Sequence, residues 1–339
     1  MKNAANKARA DVEAILTEEG FQNIEIVIPF KGKQAPLKSL KEHWDNYGIW
    51  KEKLSHLVNG DELLVQFPLM SKNIMVSRLL SQLENKGVKV TLLIHDLESL
   101  RYINRQSSSF KDKLRIQFEE ESVLKAGSKV IAHNPKMINY LKDKGIKSDA
   151  LVSLDIFDYL LPKDFQRKEQ SLAKEAIIAG NLDASKVAYL AYLDQLSDIN
   201  FQLYGANFQE EMAPENTEYH GSFMPEDLPN NLSGSFGLVW DGETIETCSG
   251  MYGDYLRFNN PHKTSLYLAC GIPVIVWENA ALAEFVKKHG VGIAVANLKE
   301  LATKIDQLTQ EDYNQMVANT AQLSEQLKNG YYLKTALKK

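Results

Sequence analysis

The sequence predicts an α/β protein of two doubly wound, Rossmann-like domains with an interdomain cleft, on three observations. A helical stretch, a glycine and a β-rich run recur together in "LTEEGFQNIEIVI", "LENKGVKVTLLIHD", "LKDKGIKSDALVSL" and "FVKKHGVGIAVA", where Gly20, Gly87, Gly145 and Gly290 read as helix stops that feed strands. The β-rich runs are short and separated by helical segments, as expected for parallel sheets with helices on both faces. The length, 339 residues, suffices for two cores of ordinary size.

The elements follow in order. "MKNAANKARADVEAIL" is polar and helix-patterned. Strands are expected in "DELLVQFP" (61–68), "VTLLIHD", "SKVIAHN" (128–134), "EAIIAGN" (175–181), "NFQLYG" (200–205) and "SFGLVWDG" (235–242). "EYHGSFMPEDLPNNL" (218–232) reads as a turn followed by a short helix that Pro225 starts. In "NNPHKTSLYLACGIPVIVW" (259–277), Asn260 can cap a helix, with Pro261 at its first position. Leu266, Tyr267 and Cys270 fall at helical spacing, Gly271 stops the helix, and "IPVIVW" reads as a strand covered on both faces. After residue 298 no strand follows, so the chain ends in helices. The charged "PKDFQRKEQSLAK" (162–174) is either the domain linker or an ordinary surface helix. With the linker there, the domains are 1–161 and 174–320, and a helix at 321–339 can cross back onto the first.

The formal net charge of −5, with both signs mixed along the chain, leaves no electrostatic footprint for nucleic acid. The start lacks an apolar signal core and no apolar run is long enough to span a bilayer, so a cytoplasmic protein without a transmembrane segment is expected. Cys248 and Cys270 lack redox or zinc-site spacing and read as buried thiols. Asp155 and Asp158 match no metal motif and the chain holds no Asp-x-Asp, so no metal site is expected. Phosphate-loop, GxGxxG and GxSxG motifs are absent as well, which lowers kinases, dehydrogenases and hydrolases together.

Lys263 would stand in the first turn of its helix, where the dipole already carries positive charge, so an anion is its natural partner. Backbone N–H groups, the Lys263 ammonium and the hydroxyls of Thr264 and Ser265 would make a phosphate seat, with Lys263 as a solvated lysine the alternative. Gly180 and Asn181 permit a tight strand exit, after which Lys186 adds a second cation for a diphosphate or is merely solvated. Tyr204 and backbone groups near Phe223 and Met224 can recognise a flat base, unless Phe223 is core. In the long loop from 240, Asp241 and Glu243 can accept from sugar hydroxyls, or the loop is a solvated acidic one. His95 and Asp96 directly follow a buried strand, so either can serve as a general base, or Asp96 caps the next short helix.

"HGSFMPEDLP", "GSFGLVWDG", "TCSGMYGDYLRFNNPHKTSLYLACGIPVIVW" and "IHDLESLRY" resemble bacterial β-1,6-galactofuranosyltransferases. More loosely, the chain is similar to the glucosyltransferase 3 family, which extends O-glycans on streptococcal serine-rich-repeat adhesins. The likeness covers nearly the whole chain and is most specific over 220–277. It implies the GT-B architecture, with an acceptor-side first domain, a second domain that holds the nucleotide sugar, and no essential metal. It places Pro261, His262, Lys263, Thr264, Ser265 and Leu266 at the diphosphate-binding helix start, and Tyr204 and Lys186 at an aromatic and a basic donor contact. The family begins with a β-strand before the loop corresponding to 3–6, whereas this chain starts inside that loop, where Asn3 and Ala4 would approach the donor. The expected function is transfer of a glucose- or GlcNAc-type hexose from a UDP-sugar to an acceptor glycan, such as O-linked GlcNAc on an adhesin. The alternatives are a galactofuranosyltransferase using UDP-galactofuranose and a non-catalytic nucleotide-sugar-binding partner of another transferase. The UDP-sugar is substrate, no cofactor is expected, the acceptor is a glycan or glycopeptide, and a homo-oligomer is compatible with the sequence.

Overall fold

The computed structural model describes residues 4–28, 36–69, 74–102, 110–210 and 213–339. The chain forms two compact units, Leu16–Leu154 and a discontinuous one of Met1–Ile15 with Asp155–Lys338. Helix α1 (Ala4–Glu18) opens the chain.

The unit of Leu16–Leu154 contains α2 (Pro36–Lys53), β1 (Glu62–Phe67), α3 (Ile74–Asn85), β2 (Lys89–Ile94) and α4 (Glu98–Tyr102). It continues with α5 (Phe110–Leu124), β3 (Lys129–Ala132), α6 (Pro135–Asp143) and β4 (Leu151–Ser153). Its strands are parallel in the order β1-β2-β3-β4, with Val65 opposite Leu92 and Leu93 opposite Ile131. Central β2 buries Val90, Leu92, Leu93 and Ile94, whereas β1 buries alternate residues Leu63, Val65 and Phe67. That difference follows from position, since a strand covered on two faces needs a continuous apolar run and one covered on a single face needs only alternation. Gly20 ends α1 at φ 89°, with Phe21 N–H donating to the Leu16 carbonyl at 2.9 Å. The β-rich run after it is not a strand: residues 21–28 are irregular, and Val27 is exposed. Alternation is present in that run, but a strand also requires a ladder partner, and none of the described residues supplies one. Among the described residues the strand order here is sequential, without the reversal of a doubly wound sheet.

The second unit carries β5 (Glu175–Ala179), α7 (Ala184–Val187), β6 (Asn200–Tyr204), β7 (Thr217–Tyr219), α8 (Leu228–Asn231) and β8 (Phe236–Val239). There follow α9 (Gly250–Tyr255), α10 (His262–Ala269), β9 (Val274–Trp277), α11 (Ala283–His289), β10 (Gly292–Val295), α12 (Leu301–Asp306), α13 (Gln310–Leu327) and α14 (Tyr331–Lys338). The parallel order is β10-β9-β8-β5-β6-β7, so the winding reverses between β5 and β8. Three-residue β7 runs into the start of the segment expected to be only a turn and a helix, and α8 begins at Leu228 instead of Pro225.

Helix α10 lies directly on this sheet. A Cβ on Gly237 would stand 2.2 Å from the Tyr267 ring. Tyr267 passes over that gap, and its hydroxyl donates to the Ile177 carbonyl at 3.2 Å and accepts from Ala179 N–H at 2.7 Å. On its other side α10 packs against α13, where the Ser324 hydroxyl donates to the Ala269 carbonyl.

Residues 155–161, assigned by sequence to the first domain, are bound into this second unit, as is the start of α1. Lys7 pairs with Asp11 and donates to the Leu160 carbonyl at 2.8 Å, and Leu160 N–H donates to Asp11 Oδ2 at 3.2 Å. Buried Asp158 accepts from Tyr332 N–H at 3.1 Å and Leu333 N–H at 2.7 Å, capping α14, which therefore packs within the same unit.

Burial pushes the Asp158 carboxyl up to about 7 from an ordinary 3.8, against the opposing pull of the two amides. Between these values the folded chain binds more protons than the unfolded one, so this group's contribution to stability falls as pH rises through that window. Urea unfolding of Asp158→Asn is expected to show a smaller loss of stability between pH 4 and 7 than the parent, and an identical slope would contradict the assignment.

Candidate active site

In an open parallel sheet the crevice at the carboxyl ends of the strands, where winding reverses, is left uncovered by crossover connections. Here it lies where β5 and β8 end. The exit of β5 is narrow: Gly205 has φ 157°, and a Cβ there would stand 1.7 Å from the Gly180 carbonyl oxygen. Asn181 Oδ1 accepts from Asp183 N–H at 3.1 Å and Asn207 Nδ2 at 2.8 Å, bracing the loop. Asp183 caps α7 through Ser185 N–H at 2.9 Å, and α7 carries Lys186.

Beyond β8, Trp240 is buried and donates from Nε1 to the Thr244 carbonyl at 3.0 Å. Gly242 N–H donates to the Lys186 carbonyl at 3.0 Å, tying this loop to α7. The side chain of Asp241 between them is 7% exposed. It does not present its carboxylate to a sugar. Asp241 Oδ1 accepts from Lys263 Nζ at 2.8 Å, and Lys186 Nζ stands 3.9 Å from Oδ2. The Trp240 carbonyl takes a second Lys263 donor at 2.9 Å. Two lysines from two helices thus converge on one carboxylate. Burial lowers the Lys263 pKa, Asp241 opposes that shift, and Lys186 adds to it.

The mouth of α10 differs in detail from its sequence reading. Pro261, extended at φ −61° and ψ 130°, is the N-cap, and α10 has no side-chain cap bond among the described residues. Asn260 instead donates from Nδ2 to the Asp155 carbonyl at 3.0 Å. The Ser265 hydroxyl is spent on the Phe157 carbonyl at 2.7 Å and does not join a phosphate seat. Thr264 Oγ1 is buried with no partner among the described residues. His262 lies 4.9 Å from the Tyr159 ring, tilted 33°, and its Nε2 is likewise buried and unpartnered among the described residues. Burial, with the nearby Lys7 charge, brings the His262 pKa down to about 3, so the imidazole is neutral near pH 7. Leu266 is core.

Tyr204, at the end of β6, is 2% exposed. Its ring stacks on His220 at 4.6 Å and its hydroxyl accepts from Ser233 N–H at 3.2 Å, so His220 and Phe223 are the less buried rings of this corner. Asn3 lies outside the described residues, and Ala4 is the first residue of α1.

In the other unit, His95 follows β2, its N–H donating to the Phe67 carbonyl at 2.7 Å and its Nε2 lying 2.8 Å from Gln66 Oε1. Asp96 Oδ2 is 3.6 Å from Arg101 Nη1. The start of α4 is served by Glu120 of α5, which accepts from Glu98 N–H at 2.6 Å and Ser99 N–H at 3.1 Å. Beneath the loop, buried His133 Nε2 bonds the Ile94 carbonyl at 3.1 Å. Glu120 and His133 carried no sequence signal, because each acts across the fold on backbone groups. Tyr252, whose ring lies 5.8 Å from Lys186 Nζ, was also missed; its one clue was the glycine-rich "SGMYGD". Among the described residues no group of three or more His, Cys, Asp or Glu side chains is placed to hold a metal ion, and no helix is long and apolar enough to cross a membrane.

Comparison with known proteins defines the class as a GT-B glycosyltransferase fold. Sucrose-phosphate synthase from Thermosynechococcus elongatus superposes with TM-score 0.57 at 14% identity, over 95% of this chain and 89% of that one. HepE of Anabaena, solved in complex with UDP, superposes with TM-score 0.55 at 11% identity, over 87% and 80%. Residues 1–156 match the profile of the glucosyltransferase 3-like N-terminal domain, and residues 176–339 that of the glucosyltransferase 3-like C-terminal domain. The chain belongs to this glucosyltransferase 3-like family. Beta-1,6-galactofuranosyltransferase WbbI of Escherichia coli (strain K12) is 34% identical, aligned over 99% of this chain and 94% of its own length. Glucosyltransferase 3 of Streptococcus parasanguinis is 26% identical, over 87% and 84%.

Lys263→Ala would leave the buried Asp241 carboxylate without its 2.8 Å partner. A loss of about 3 kcal/mol is expected, as for breaking a buried pair. Adding Asp241→Asn should recover most of that loss in a double-mutant cycle followed by denaturant unfolding, and strictly additive effects would refute the coupling.

Proposed function

We propose that this chain transfers a hexosyl group from a UDP-sugar to a hydroxyl of an acceptor glycan. The observation that carries this reading is the pair of lysines meeting at the sheet's switch point beside the mouth of α10. An ammonium has three donors, and Lys263 commits two to protein, which leaves one for a diphosphate oxygen. Lys186 and the first amides of α10 would share the same anion.

As the bond between the sugar's anomeric carbon and phosphate oxygen breaks, its electron pair leaves with UDP. The lysines and helix amides stabilise that growing negative charge. The acceptor oxygen forms the new bond to the anomeric carbon, and its proton passes to the Asp96 carboxylate, with His95 as the neighbouring base of second choice. In this reading UDP-sugar is the only small-molecule requirement and the leaving group depends on no bound metal. HepE of Anabaena, which shares the fold, has been solved with UDP and with UDP-glucose, which lends support to a uridine nucleotide.

A glucose donor follows the name of the glucosyltransferase 3 relatives, and a GlcNAc-type donor and an adhesin-borne O-linked GlcNAc acceptor follow the family resemblance read from the sequence. The higher identity to the galactofuranosyltransferase, 34% against 26%, favours UDP-galactofuranose as the second reading. A panel of these three UDP-sugars with a GlcNAc-bearing peptide, scored by UDP release and by the mass of the product, separates them. UDP binding without release under any pairing would favour a non-catalytic binder.

Asp96→Asn is expected to lower kcat by about 100-fold or more while UDP affinity stays within about twofold, the usual range for loss of a general base. Stopped turnover with isothermal titration of UDP reads both quantities, and undiminished kcat would remove Asp96 from the role.

A further inference from the structure

We infer that Asp241 is a positioning residue that keeps the Lys263 ammonium charged and aimed, so that donor binding stays insensitive to pH. This rests on the UDP-sugar reading above. A carboxylate 2.8 Å from a lysine proposed to grip a diphosphate looks counterproductive, because it repels the ligand. Its location explains why it is there. The Lys263 side chain is 12% exposed, and removal from water disfavours its charged form. Lys186, near the far oxygen of Asp241, disfavours it further.

The other groups that face this cluster do not replace Asp241. Burial raises the Cys248 thiol on the β8–α9 loop and the Tyr189 phenol after α7, so neither is an anion near pH 7. Tyr267 of α10 is raised in the same way, and Arg257 near Cys248 is itself a cation. Among the described residues Asp241 is therefore the one carboxylate that pairs with either ammonium. With Asn at 241 the amide can still accept from Lys263, so the geometry is largely kept while the charge is lost. Lys263 would then give up its proton at lower pH, and donor affinity would fall as pH rises.

The test is UDP titration between pH 7 and 9. The parent should change less than about threefold and Asp241→Asn should weaken at least tenfold across that range, the tenfold step corresponding to about 1.4 kcal/mol. Asp241→Glu, which restores the charge, should be flat again, as should Asp241→Asn with Lys263→Arg, whose guanidinium stays protonated. A variant that binds uniformly more weakly, or equally well, at every pH overturns the inference. If Asp241→Asn alone fails to fold, Asp241→Asn with Lys263→Gln makes a neutral pair and should bind weakly but without pH dependence; a surviving pH dependence also overturns it. A readout without ligand separates this idea from the donor reading: pulsed acetylation of the amines, followed by mass spectrometry of the Lys263 peptide. Its titration midpoint should drop in Asp241→Asn even if the parent never binds UDP, and an unchanged midpoint overturns the inference.

Discussion

The second unit depends on one close approach, that of Tyr267 to the backbone of Gly237. Because no side chain rises from β8 at that point, α10 settles near enough for a phenol hydroxyl to bridge Ala179 N–H and the Ile177 carbonyl of the adjacent strand. Any larger residue would lift the helix, since its Cβ would begin 2.2 Å from the ring. Helix height in turn sets where residue 263 can reach. The position of a charged group in the crevice is thus decided by an uncharged contact about one turn away.

The ion pair at the crevice shows how local and global electrostatics divide the work. Alone, α10 is a poor place for a cation in its first turn. The fold supplies Asp241 from a different loop to neutralise it, and fixes that loop with Gly242 donating to the Lys186 carbonyl. A buried pair of this kind adds little net stability, because desolvation offsets much of the attraction. Its worth is in specifying geometry and protonation, which a transferase with a polyanionic leaving group needs more than extra stability.

Much of this was legible in the sequence, for reasons that differ by element. Strands such as β2, β5, β8 and β9 were visible because burial on both faces demands an unbroken apolar run. The glycine stops were equally clear, and Gly20, Gly87, Gly145 and Gly290 all adopt positive φ. Lys263 stood out because its charge contradicts its position in the helix. What the sequence concealed were pairings fixed only by tertiary contact. The run at 21–28 alternates like a strand but lacks a ladder, and β7 is three residues long with little pattern of its own. Asn260 and Ser265 have the chemistry of a cap and a phosphate ligand, yet each is occupied by a carbonyl more than a hundred residues away. Asp241 looked like a sugar contact because acidic loops are usually exposed, whereas this one closes over its own carboxylate.

The discontinuity of the second unit has a consequence during synthesis. Lys7 finds its carbonyl on Leu160, 153 positions later. At typical elongation speeds of about 5–20 residues per second, the amphipathic start of α1 waits on the order of 8–30 s in the nascent chain before that acceptor leaves the ribosome. Ile15 of the same helix, buried in the folded chain, lies against Gly330, which is made later still. A helix made early is thus held in waiting for its partner, and the length of that wait is set by separation along the sequence, not by the strength of the contact.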